Sequence, residues 1–161
     1  MRKRKGQPMN ATIVCTSVSH GNTMRIAETM GQVLRARVVD PEQVDPADLS
    51  GSDLVGFGSG IFNMNFHPRL RDFIESLPTV DGQAAFVFAT SGLPEPPFKR
   101  YTRDLARALE RKGYDVVDTF ICRGYDTWFP FRIVGGVAKG RPTAAELDAA
   151  RQFAERLRPA G

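Results

Sequence analysis

Two stretches, "DLVGFGS" (53–59) and "AAFVFAT" (84–90), run almost without a polar side chain. A strand with one wet face alternates apolar and polar residues, and these do not, so both of their faces must be covered. That condition is met in a parallel sheet with helices packed on either side. Three more strand-like runs, "ATIVCT" (11–16), "RVVD" (37–40) and "DVVDTFICR" (115–123), bring the number of strands to five.

Helical patterns separate them. Residues 22–35 gather Ile26, Ala27, Met30, Val33 and Leu34 on one face. Residues 68–77 gather Leu70, Phe73, Ile74 and Leu77, with Pro68 suited to a first turn and Pro78 as a stop. Residues 98–112 align Tyr101, Leu105, Ala108 and Leu109, and end at Gly113. Residues 143–158 align Leu147, Ala150, Phe153, Ala154 and Leu157 behind a capping box, Thr143 with Glu146. Segment 41–52 suits a single turn near 46–49. Repeated strand–helix alternation implies right-handed crossovers. The expected fold is therefore α/β, a three-layer α/β/α sandwich on a five-stranded parallel sheet of order 2-1-3-4-5. The link 124–142, "GYDTWFPFRIVGGVAKGRP", is long enough to imply a function or a short edge strand in "FRIVGGV".

Charge and composition narrow the function. The net charge of +4 equals the contribution of Arg2, Lys3, Arg4 and Lys5; without them 18 cations face 18 carboxylates. Residues 1–10 are expected to form a basic, disordered tail and residues 11–161 one domain. A neutral folded part gives no reason to expect nucleic acid as a partner. No apolar run reaches the roughly 20 residues that cross a bilayer, so a cytoplasmic protein without membrane insertion is expected. Cys15 and Cys122 lie in apolar runs and read as small buried hydrophobes. Two histidines and no CxxC leave no metal site, and no catalytic Ser/His/Asp spacing is present.

In a sheet of this order, ligands bind beyond the carboxyl ends of the strands, between the first and third. The loop there is "SVSHGNT". Its small hydroxyls and amides, Gly21 for close approach, and the unpaired N–H groups of the next helix suit a dianionic phosphate without any Lys or Arg. Plain capping by Ser19 or Asn22 is the competing reading; the density of donors at the switch point favours phosphate. GxxxxGK[ST] and GxGxxG are both absent, which leaves a mononucleotide. The third-strand loop, "GSGIFNMNFHP", offers Ile61 and Phe62 to a flat aromatic ligand, while Phe66 is expected in the core and His67 at the start of the next helix. The loop "TSGLPEPP" offers the amides of Ser91 and Gly92. His20, with no carboxylate nearby in sequence, is expected to neighbour the phosphate rather than act as a base.

"SVSHGNTMRIAETM", "GFGSGIFNMNFHPRLRDFIESLP" and the "GYDT…GG…KGRP" tail together resemble the flavodoxin-like family over about residues 11–158. The resemblance implies a flavodoxin-like fold and bound flavin mononucleotide (FMN). It places the phosphate in the Ser17–Thr23 loop, on Ser17, Ser19, His20, Gly21, Asn22 and Thr23. The ring is placed against Gly60, Ile61, Phe62, Asn63, Thr90, Ser91 and Gly92, with Tyr125 or Trp128 covering it. An electron carrier working with a redox partner protein or a small-molecule reductant is implied. Two alternatives are an NAD(P)H-dependent flavin or quinone reductase, with the 124–142 loop shaping a nicotinamide site, and a flavin-free interaction domain.

Overall fold

The computed structural model describes residues 9–16, 21–62, 64–91, 100–123 and 143–158. Among these residues there are six strands: β1 (Ala11–Thr16), β2 (Arg37–Val39), β3 (Leu54–Phe62), β4 (Asn65–Phe66), β5 (Ala84–Ser91) and β6 (Asp115–Arg123). The described helices are α1 (Asn22–Leu34), α2 (Pro68–Ser76), α3 (Tyr101–Arg111) and α4 (Ala144–Leu157). A 3-10 segment, Pro46–Gly51, stands where one turn was expected, with the Asp45 carboxylate accepting from Ala47 N–H at 3.0 Å. The parallel strands run β2-β1-β3-β5-β6, the expected order, and β4 pairs antiparallel with the end of β3.

Alternation along the strands feeds two cores. Val14, Val55, Phe57 and Val87 pack on one side with α2 and α3. Ile13, Cys15, Phe86 and Phe88 pack on the other with α1 and α4. Each fully buried phenylalanine contributes about 1.5–3 kcal/mol. The glycines of "GFGSG" have a non-local cause: a Cβ at Gly56 or Gly58 would overlap the ring of Phe86 or Phe88 on the neighbouring strand. The capping box forms as expected, with Thr143 Oγ1 accepting from Glu146 N–H at 3.2 Å and Glu146 Oε1 accepting from Thr143 N–H at 2.8 Å.

Two boundaries differ from the sequence reading. β3 runs three residues past Ser59, so Gly60, Ile61 and Phe62 are strand rather than loop, and the chain folds back in a hairpin onto β4. Met64 sits in that turn at φ +59, in the left-handed region usually left to Gly or Asn, which is why the turn is hard to read from sequence. At the other end, Met9 packs against the α1/α4 core and Asn10 N–H donates to Asp53 Oδ2 at 2.7 Å. Those two residues, assigned to the tail, belong to the fold. The "FRIVGGV" segment lies outside the described residues.

Candidate functional site

The carboxyl ends of β1, β3 and β5 are brought level by the sheet register. Thr16 is paired with Ser59, Ser59 with Ala89, and Gly60 with Thr90. Burial changes at that level: Ser59 and Ala89 are buried, whereas Gly60, Ile61, Thr90 and Ser91 are half-buried. Residues from two strands far apart in sequence thus share one end of the sheet.

α1 opens onto this edge. Its N-cap is Gly21 at φ +69, a conformation that costs other L-residues about 1 kcal/mol or more, and no side chain of the N-cap closes the helix. The first intrahelical bond runs from Arg25 N–H to Gly21 O, 3.0 Å. Among the described residues no hydrogen bond takes up the N–H of Asn22 or Thr23. Among the described residues, a Cβ built at Gly21 would meet nothing within 4 Å. These N–H groups and the dipole behind them favour an anion.

Thr23 is buried, and its hydroxyl lies 2.7 Å from that of Thr90. This bond ties the start of α1 to the end of β5. Thr16, the last residue of β1, is 1% exposed, and its Oγ1 has no hydrogen-bond partner among the described residues. Burying a hydroxyl unpaired costs on the order of 1–3 kcal/mol. Neither Thr16 nor the Thr23–Thr90 link was singled out from sequence. The available signal was a polar residue ending each apolar run.

The hairpin after β3 is held by Ser59. Its hydroxyl donates to Gly60 O at 2.7 Å and accepts from His67 N–H at 3.0 Å. Arg71 Nε donates to Phe66 O at 3.1 Å. Phe66 is fully buried and meets Tyr101 edge-on at 5.9 Å, the core role expected for it. His67 caps α2, its Nδ1 accepting from Arg69 N–H at 3.0 Å.

Of the candidates named from sequence, Gly21, Asn22, Thr23, Gly60, Ile61, Phe62, Thr90 and Ser91 occur at this edge. Ser17, Ser19, His20, Asn63, Gly92 and Tyr125 lie outside the described residues, as does Trp128. Cys15 and Cys122 are buried thiols and not joined in a disulfide, and the described residues hold no cluster that would bind a metal ion. Burial, with smaller contributions from Asp40 and Glu28, pushes the Cys15 thiol up to about 12, which keeps it unreactive. Cys122 Sγ donates to Glu146 Oε2 at 3.2 Å, inside the capping box of α4. No described helix is long and apolar enough to cross a membrane.

The family model described as "Flavodoxin domain" matches residues 13–124. An uncharacterised protein of Methanocaldococcus jannaschii is 32% identical over 151 residues, which cover 92% of this chain and 98% of that one. A flavodoxin of Streptococcus pneumoniae superposes with a TM-score of 0.67 at 19% identity, covering 92% of this chain and 97% of its own. One from the domain Archaea superposes with a TM-score of 0.66 at 17% identity, covering 92% and 96%.

Proposed function

The chain belongs to the flavodoxin family, and from that premise we propose that it binds FMN at the β1/β3/β5 edge and carries electrons. The observation that carries this reading is the Thr23–Thr90 bond. It joins the helix end suited to a phosphate to the strand end suited to a flavin ring, so that one ligand can span both.

The residues present fit the group. The N–H groups of Asn22 and Thr23 would hold the phosphate, with the Ser17–His20 segment completing the grip. The buried, unpartnered hydroxyl of Thr16 is a polar atom that a ligand or its bound water would satisfy. Gly60, Ile61, Phe62, Thr90 and Ser91 would flank the ring, and the Ser59 bonds fix the hairpin that presents three of them. Bound there, FMN would supply the electron-accepting and electron-donating chemistry. The chain's contribution is to orient the group, to shield it through the half-buried rim, and to grip a dianion with dipoles in place of cations.

The test is a titration of the purified chain with FMN, followed by quenching of flavin fluorescence, beside riboflavin as the analogue lacking phosphate. Saturation by one equivalent of FMN, with much weaker binding of riboflavin, is the expected outcome. Equal affinity for the two would remove the phosphate grip, and no binding of either would remove the reading as a whole.

A further inference from the structure

Helix α3 carries Arg103, Arg107 and Arg111 on its exposed side. Their spacings of four place them within an arc of about 80° and along about 12 Å of helix. None of the three has an ion pair among the described residues. From Arg100 to Lys112 there are five cations against two carboxylates, Asp104 and Glu110, which lie on the two flanks of the stripe. The opposite end of the same sheet face is acidic. Residues 40–53 hold Asp40, Glu42, Asp45, Asp48 and Asp53 and no Lys or Arg, and they cover the sheet there through Val44 and Leu49. A fold that is neutral in total is therefore polarised across one face.

Of the three, Arg103 stands nearest the candidate site, while Arg111 lies toward the amino ends of the strands. α3 follows β5, so in a parallel sheet its first turn lies at the carboxyl edge. Tyr101, its first residue, packs on Phe66 of the hairpin formed by β3 and β4. We propose that the Arg103–Arg107–Arg111 face is the docking surface for an acidic protein partner, which rests on the electron-carrier reading above. A row of guanidiniums suits carboxylates spread over a protein surface. The flanking Asp104 and Glu110 give such a partner a register and would repel a polyphosphate backbone. Electrostatic pairing of this kind speeds encounter and weakens steeply with salt.

The test uses the full chain, ¹⁵N-labelled, with an acidic [2Fe–2S] ferredoxin as the probe, and with cytochrome c and a DNA duplex as counterparts. Amides of α3 are expected to shift with ferredoxin, and raising the salt should weaken its binding. Arg103→Glu with Arg107→Glu should raise the ferredoxin Kd roughly tenfold at low salt, while Arg103→Lys with Arg107→Lys retains most of the affinity. The proposal is overturned by an unchanged Kd on charge reversal, or by binding lost only when Arg2–Lys5 are neutralised. It is equally overturned by a preference for cytochrome c, by tighter binding of the duplex to the same arginines, or by arginine-dependent self-association in sedimentation. Because binding is read with and without FMN, a chain that takes ferredoxin but no flavin would sink only the electron-carrier reading.

Discussion

The hydroxyls of Thr23 and Thr90 lie 2.7 Å apart although 67 residues separate them in sequence. One belongs to the first turn of α1 and the other to the end of β5, so the bond fixes the helix end proposed to hold the phosphate against the strand proposed to flank the ring. Thr90→Val should cost about 0.5–1.5 kcal/mol of stability and weaken FMN binding by roughly tenfold. Thr23→Val should do at least as much. Because each variant removes the same bond, the double variant should lose less than the two single losses added together. Full additivity in FMN titrations of the four proteins would show that the two hydroxyls act separately.

Gly58 lies on the central strand β3, and a Cβ there would overlap the ring of Phe88. Gly58→Ala is therefore expected to destabilise by about 1–3 kcal/mol, since a packed core does not yield to an added carbon without displacing its neighbours. Adding Phe88→Leu should restore part of the loss by vacating that space. Urea unfolding of the two variants, compared with Phe88→Leu alone, reads the effect directly.

Cys15 should make stability fall in alkaline solution. Its thiol is pushed up from its ordinary value of 9.0 to about 12 in the fold by burial, then by Asp40 and Glu28. Below pH 9 both folded and unfolded chains keep the proton, and this group adds no pH dependence. Between about pH 9 and 12 only the unfolded chain releases it, so unfolding becomes easier by about 1.4 kcal/mol per pH unit. Cys15→Ala should flatten that slope, a difference measurable as Tm against pH. Unchanged slopes would mean the thiol titrates normally.

The regular parts of this fold were legible because their causes are local. Unbroken apolar runs marked β3 and β5, helical spacing marked the α1 and α4 faces, and Thr143 with Glu146 marked the start of α4. Phe66 as a core residue and His67 at the head of α2 were also readable, from the apolar context and from Pro68. The hairpin at 62–66 was not, because its turn contains no glycine. Gly56 and Gly58 were unexplained until the register set them against Phe86 and Phe88. The site divides the same way. Of the "SVSHGNT" loop the structure describes Gly21, Asn22 and Thr23, at the head of α1. The pairing of Gly60 with Thr90 and the bond from Thr90 to Thr23 exist only once the register is known. Thr16 stood out only when its hydroxyl proved buried without a partner.

Met64 closes the hairpin at φ +59 with 48% of its surface exposed. A side chain in that conformation costs roughly 1–2 kcal/mol, and exposure leaves little packing to offset it. Met64→Gly removes the strain but adds about 0.5–1 kcal/mol of entropy to the unfolded chain. The net expectation is a small gain, at most about 1 kcal/mol, seen as a higher urea midpoint at constant m-value. Met64→Val goes the other way, because branching at Cβ makes the left-handed conformation harder still. A loss of stability with glycine would show that Met64 holds the hairpin through contacts of its side chain, and that the backbone angle follows from them.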